Sequence, residues 1–392
     1  MSIRGKLTLA ISAGMLTLAV ATFALLRASG ERSVRVAAEQ AIASAGQSFG
    51  AMERADVERL DTTLRALSTN TALVEAFEQR NRAKLAAAAA PVFEALKSSH
   101  DVTHLHFIEP EPSRQVFFRA HKPELRGDVV ERVTLRRAME TLDIGAGYEL
   151  GLTAFALRVV RPWYGRDGSL AGFAELGEEI DHFLTRMKAQ TGDEYGLLVE
   201  KAFLDEKAWA AMRAGRPNHW NDRARTVVVN ATMPEEDVPA FEGDASSIPD
   251  HGLFLAKEER DEKTFVRGIV PVKDAAGRRV GGLVVLHDIT VMNEAMQAGR
   301  RGLHLAILAV GFAFGLLLLA LVDRTVLRRV DGLRKTLDAL TGRLGAGDRD
   351  LAPPPAIAKD EVGRAEDALG RFVEAVGSAL PGSGRGSTAA KR

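Results

Sequence analysis

Residues 305–322 read LAILAVGFAFGLLLLALV, eighteen positions without a charge or a hydrogen-bonding side chain. At about 1.5 Å of rise per residue, a helix of this length nearly crosses a hydrocarbon layer roughly 30 Å thick. A soluble helix this long would carry a polar face, and this stretch has none. Residues 303–322 are therefore read as a membrane span. A second apolar run, residues 7–26, follows Arg4 and Lys6. Ala19-Val20-Ala21 offers a signal-peptidase site within it, the alternative reading. The run continues to Leu26 without a helix breaker, which favours an uncleaved span.

Basic residues orient the two spans. Arg4 and Lys6 precede the first, and Arg324, Arg328, Arg329, Arg334 and Lys335 follow the second. By the positive-inside rule, residues 1–6 and everything after residue 322 are cytoplasmic, and residues 27–302 form one extracytoplasmic region. Across the 392 residues, 52 basic and 52 acidic side chains balance, so nothing argues for nucleic-acid binding. There is no cysteine, which excludes disulfides and thiol chemistry.

The external region opens with helical spacing. Ile42, Ala45, Phe49 and Met52, then Val57, Leu60, Leu64 and Leu67, mark one stripe of a long amphipathic helix from residue 27 to about 68. Residues 70–99 read as further helix, interrupted at Pro91. Strand signals begin at residue 102. Residues 102–108 alternate, with Thr103, Leu105 and Phe107 on one side and His104 and His106 on the other. Residues 115–121 alternate too, placing Phe117, Arg119 and His121 together. A helix over 129–141, strands over 147–151, 154–163 and 170–176, and a helix over 178–189 complete a first module, residues 70–190. A second module, residues 191–290, shows strands over 195–200, 226–231, 253–257, 264–272 and 280–287. Arg158, Val160, Pro162, Gly168, Gly172 and Ile180 recur 109 positions later as Arg267, Ile269, Pro271, Gly277, Gly281 and Ile289. A constant offset without a gap predicts two similar modules in tandem.

Two spans, a long first helix and two mixed α/β modules resemble the double Cache receptor ectodomain. The first module is similar to one double Cache family of sensor kinases and chemoreceptors through Phe118, Arg119, His121 and Pro123, then Gly127, Asp128, Arg132 and Thr134. Gly147, Glu149, Gly151, Arg158 and Pro162 complete the match, and Val129 stands where that family has a second acid. Past the second span, residues 323–377 resemble a HAMP relay. Val330, Leu333, Leu337, Leu340 and Leu344 keep heptad spacing, as do Val362, Ala365, Leu369, Phe372 and Val376. Asp360-Glu361-Val362-Gly363 matches the HAMP signature before the second helix, and Val330 takes the place of the family's proline. Residues 378–392 are read as a disordered tail. The expected fold is thus α+β: a long N-terminal helix, two tandem PAS-like (Cache) modules, two transmembrane helices and a helical HAMP coiled-coil bundle.

The chemistry points to binding. No metalloprotease or phosphate-loop motif is present, and no enzymatic activity, metal or cofactor is expected. His104 and His106, with His100 and His121 nearby, read as a solvated strand face or as hydrogen-bonding histidines in preference to a metal site. Arg119, Arg132 and Arg158 are candidates to bind a carboxylate, since guanidinium presents a planar fork of donors. The competing reading is an internal ion-pair network with Glu149 and Asp128. His121, Tyr148, Glu149 and Trp163 join the candidate pocket, with Tyr148 and Trp163 read as core residues in preference. Gly311 and Gly315 in the second span, and Ala10 with Gly14 in the first, permit close helix approach.

The resemblance implies a sensory receptor subunit of the bacterial inner membrane, its sensor periplasmic. It would bind a small anionic ligand, form a homodimer and relay a shift through HAMP. No kinase dimerisation histidine, ATP-binding region or chemoreceptor hairpin follows the HAMP-like helices. The output is therefore assigned to a cytoplasmic partner in trans, such as a histidine kinase. The alternatives are a structural or adaptor protein binding a periplasmic partner protein, and a receptor remnant lacking its effector.

Overall fold

One helix, α1 (Ile3–Leu67), carries the expected stripe. Val34, Ala38, Ile42, Ala45, Phe49, Leu60 and Leu64 along it are buried. In the computed structural model, residues 3–151, 154–213, 217–346 and 361–379 are described. The chain divides into two units, Gly30–Ala295 and Met1–Ser29 with Met296–Arg392.

Within Gly30–Ala295, α1 is followed by α2 (Thr71–Glu78) and α3 (Arg82–His100). The helical break falls at Arg80 and Asn81 and not at Pro91, which lies inside α3. Arg80 turns the chain with a positive φ, and the Asn81 side chain accepts from Lys84 N, restarting the helix. Pro91 costs that helix only one N–H donor and some crowding, which the surrounding packing outweighs.

The first sheet contains β1 (Val102–Ile108), β2 (Val116–Arg119), β3 (Gly145–Gly151), β4 (Ala154–Tyr164) and β5 (Leu170–Glu179), in the order β2-β1-β5-β4-β3. Between β2 and β3 lies α4 (Val133–Thr141), and α5 (Asp181–Thr191) leads out of the module. The strand β5 thus runs through Glu178, which the sequence placed in the outgoing helix.

The second sheet contains β6 (Glu194–Glu200), β7 (Thr226–Ala231), β8 (Leu253–Arg260), β9 (Lys263–Lys273) and β10 (Arg279–Asp288). Its order, β7-β6-β10-β9-β8, repeats the first. The repeat holds in register as well as topology. Val160 pairs with Glu175 and Pro162 with Phe173 in the first sheet; Ile269 pairs with Val284 and Pro271 with Gly282 in the second. A short helix, α6 (Glu206–Met212), follows β6.

Each sheet buries both faces. One apolar core unites α1, α2 and α3 with Leu105, Phe107, Leu157, Val159 and Leu176 of the first sheet and Val270, Val272 and Leu283 of the second. The opposite face of the first sheet packs Ile108, Val116, Val160 and Phe173 beneath Leu135 and Ala138 of α4. On the corresponding face of the second sheet, Val238 and Ile248 from the 232–252 connection cover Leu198, Val228, Ile269 and Val284.

The helix α7 (Thr290–Val322), which belongs to the other unit from Met296 onward, continues through a π-helical stretch, Asp323–Leu327, into α8 (Arg328–Gly345). Among the described residues, two helices contain stretches long and apolar enough to cross a membrane, one within α1 and one within α7. Gly315 faces Met15 and Ile11 of the same chain, while nothing lies within 4 Å of a Cβ built at Gly311 or Gly14. The helix α9 (Glu361–Ala379) packs Leu369 and Val373 on Leu340 and Leu333 of α8, and Arg329 pairs with Glu366 at 2.7 Å. Val330, Leu337 and Phe372 remain exposed. The connector, Asp360 and the tail from residue 380 lie outside the described residues, as do the side chains of Leu344 and Glu361.

Candidate functional site

The α4-side face of the first sheet carries an unusual load for a strand interior. Glu175 sits mid-strand on β5 and is fully buried. A lone carboxylate in such a place requires partners. Arg158 of β4 donates to its Oε1 at 2.6 Å, and Arg132, at the N-terminal boundary of α4, donates to both oxygens at 2.6 and 2.5 Å. Burial alone would raise this carboxyl; Arg132 and Arg158 overcome it and hold Glu175 well below the usual carboxylate range. A Cβ built at Gly177 would meet Arg158 Nη1 at 3.2 Å and His104 Cβ at 3.3 Å, so glycine makes room for that guanidinium to lie along the sheet.

Three histidines complete the face. His104 and His106 come from β1 and His121 from just beyond β2, with ring centroids 4.4 Å (His104–His121), 5.1 Å (His106–His121) and 5.8 Å (His104–His106) apart. Burial drives His104 down to about 2, with Arg158 adding to it. It likewise lowers His106 and takes His121 to about 3. All three rings are neutral at neutral pH. Thr103 engages His104 Nδ1 at 2.8 Å. His106 Nδ1 stands 3.0 Å from Glu175 Oε1 but off the line of a hydrogen bond. Neither nitrogen of His106, nor Nδ1 of His121, has a hydrogen-bond partner among the described residues.

The other candidates fall in different places. Arg119 shares the face but is clasped by Asp128, its two terminal nitrogens donating at 2.7 and 2.5 Å. Glu149 forms no ion pair with an arginine among the described residues; its Oε1 accepts from Thr134 N at 2.8 Å at the start of α4. Tyr148 and Trp163 point to the opposite face. Tyr148 stacks on Phe155 at 4.5 Å, and Trp163 meets Phe107 edge-on at 5.2 Å in the core against α1. Asp128 is thus an arginine partner as anticipated, whereas the acid holding Arg132 and Arg158 is Glu175. Its one visible signal was a single charge inside the apolar stretch LAGFAELG.

Two sheets of one topology on a common helix, the first with a buried polar face and the second with an apolar one, define a tandem sensory domain. The chain belongs to the dCache_3 family, the double sensory domain of two-component sensor kinases, whose model matches residues 35–292. Among solved structures, the periplasmic domain of Vibrio cholerae LuxQ is similar at 12% identity, with a TM-score of 0.38, covering 63% of this chain and 98% of that one. The ligand-binding domain of the Campylobacter jejuni chemoreceptor Tlp3, solved with 4-methylisoleucine, is similar at 13% identity and a TM-score of 0.31, covering 64% and 94%. No curated protein matches the chain.

Proposed function

We propose that this protein is a transmembrane sensory receptor whose first module takes a small carboxylate on the Arg132–His106–His121 face. The observation that carries the reading is the buried Glu175 shared by Arg132 and Arg158 beside histidine nitrogens that make no hydrogen bond among the described residues. Two guanidiniums organised around a single carboxylate leave one positive charge to be matched, which suits the face to receive a second carboxylate. Arg132 is the accessible member, its side chain a quarter exposed where that of Arg158 is 6% exposed. An incoming carboxylate meets Arg132, and its neighbouring polar atoms meet His106 and His121. Arg119, already paired with Asp128, borders the face. The second module is a poorer host, because Val238 and Ile248 fill the equivalent space.

The same reading assigns the flow of signal. Binding that favours one arrangement of the first sheet shifts the population toward it. The shift leaves through α7 into the second span and the α8–α9 pair, which acts as a HAMP relay in a parallel homodimer. Exposed Val330, Leu337 and Phe372 on heptad positions support a second chain there. A cytoplasmic partner such as a histidine kinase reads the relay, and the sensor faces the periplasm of a bacterial inner membrane.

The test is a calorimetric screen of small carboxylates on the full-length protein in micelles, repeated with Arg132→Ala. A charged hydrogen bond lost from a closed site costs roughly 2–5 kcal/mol, so binding should fall more than tenfold. A confirmed carboxylate whose affinity ignores Arg132→Ala would remove this face from the binding role.

A further inference from the structure

A second buried charged cluster occupies the opposite face of the first sheet, where α1, β5 and α5 meet. Asp56 and Arg59 come from α1, Glu178 from the end of β5 and His182 from the first turn of α5. Arg59 Nε donates to Asp56 Oδ1 at 3.2 Å, its Nη1 to His100 O at 2.9 Å, and its Nη2 to Glu178 Oε2. The guanidinium therefore holds one oxygen of each carboxylate. The remaining oxygens have different surroundings. Asp56 Oδ2 lies 3.0 Å from His182 Nε2, whereas Glu178 Oε1 is buried with no hydrogen-bond partner. One ligand-type atom from each of Asp56, Glu178 and His182 lies within 4.8 Å of the other two. Two carboxylates, both buried, share one guanidinium, which leaves the cluster short of matched positive charge.

We propose that Asp56, Glu178 and His182 bind a divalent transition-metal cation of the zinc type, fastening α1 to the helix that leaves the first module. One imidazole and two carboxylates form a donor set that zinc accepts, whereas magnesium and calcium take oxygen donors. Bonds of roughly 2.0–2.2 Å in a tetrahedron put ligand atoms about 3.3 Å apart. Asp56 and His182 already stand near that spacing, and Glu178 must close only part of the 4.8 Å limit. Arg59 orients both carboxylates from their outer oxygens, the part that outer-shell hydrogen bonds play around bound metals. The two carboxylates it pairs with offset part of the repulsion that its own charge exerts on a cation. The cation supplies the unpartnered Glu178 oxygen with a counter-charge. This site is on the other face of the sheet from Glu175, so its existence does not depend on the carboxylate reading.

The test uses the full-length protein in detergent micelles, stripped with a chelator and titrated with Zn²⁺ by calorimetry, with Mg²⁺ in parallel. One saturable equivalent of Zn²⁺ per chain is expected, with a rise in melting temperature that Mg²⁺ does not produce. His182→Gln and Asp56→Asn should each weaken Zn²⁺ binding at least tenfold, while His104→Gln and His121→Gln leave it unchanged. His182 is partly exposed, so His182→Gln carries the comparison if Asp56→Asn fails to fold. Absence of saturable Zn²⁺ binding, or binding that survives His182→Gln, overturns the proposal, as does binding abolished by His104→Gln.

Discussion

Glu175 and Val284 occupy the same position in the two sheets: Glu175 pairs across to Val160, and Val284 to Ile269, in one shared register. The first position holds two arginines and the second sits in an apolar cluster. Two copies of one architecture thus differ at this buried point, a carboxylate in one and a valine in the other, and that difference helps to separate the candidate sensing module from its neighbour.

Removing this carboxylate strands buried positive charge. Glu175→Gln should cost about 3–5 kcal/mol, the range for breaking a buried ion pair by deleting one partner. Replacing both members, as in Glu175→Val with Arg158→Met, should recover much of that loss. Thermal denaturation of the two variants and of Arg158→Met alone reads the coupling directly. Additive effects would show that Arg158 and Glu175 are energetically independent.

Acid should destabilise the sensory domain through its histidines. His104 and His121 titrate at about 2 and about 3 when folded, against an ordinary value near 6.5 when unfolded. As pH falls below about 6.5, the unfolded chain takes up protons that the folded chain refuses, and stability drops until the folded values are reached. His104→Gln with His121→Gln should flatten the melting temperature between about pH 6.5 and pH 4 relative to the parent protein.

The two modules touch where β3 meets the turn between β9 and β10. Ala275 N donates to Tyr148 O at 2.7 Å, and Arg137 Nη2 donates to Ala275 O at 2.8 Å. Gly147 lies at this contact with φ 142°, and a Cβ there would come within 2.9 Å of Ala275 Cβ. Gly147→Ala combines a strained backbone with a clash and should destabilise by about 1–3 kcal/mol. Hydrogen exchange at Ala275 should accelerate more than at Leu105, deep in the first sheet. Equal acceleration at both would mean that the damage is not confined to the contact.

Crosslinking tests the second chain. Leu340 is buried against α9 of its own chain, while Leu337 and Phe372 are exposed. Cysteine at Leu337 or Phe372 should form disulfides between chains in oxidised membranes, and cysteine at Leu340 should do so poorly. The reverse order would refute the arrangement.

Topology is testable with reporter fusions at Gly243 and Arg392. From the basic clusters at Arg4 and Lys6, and from Arg324 to Lys335, the expected outcome is a cytoplasmic signal from Arg392 and an external one from Gly243. A periplasmic signal from Arg392 would reverse the assignment.

What the sequence determined by itself was periodic and local. The stripe from Ile42 to Leu67, the alternation of His104 and His106 against Leu105 and Phe107, and the 109-residue repeat are all properties of neighbouring positions. They were legible because helix and strand impose fixed periods on the chain, and the repeat proved true to the level of cross-strand register. The helical break was misread at Pro91, because a proline's local cost is smaller than the packing of a helix against a core. The site depended on what the chain brings together from afar. Glu175 meets Arg158 from 17 positions away and Arg132 from 43, and Asp56 meets His182 across 126. Tyr148 and Arg158 looked like neighbours in one pocket, yet the strand period sends them to opposite faces. Whether an ionisable side chain is buried, and which counter-charge it finds there, is decided by strand pairing and by which element covers the sheet. Those are long-range choices, and only the tertiary structure makes them.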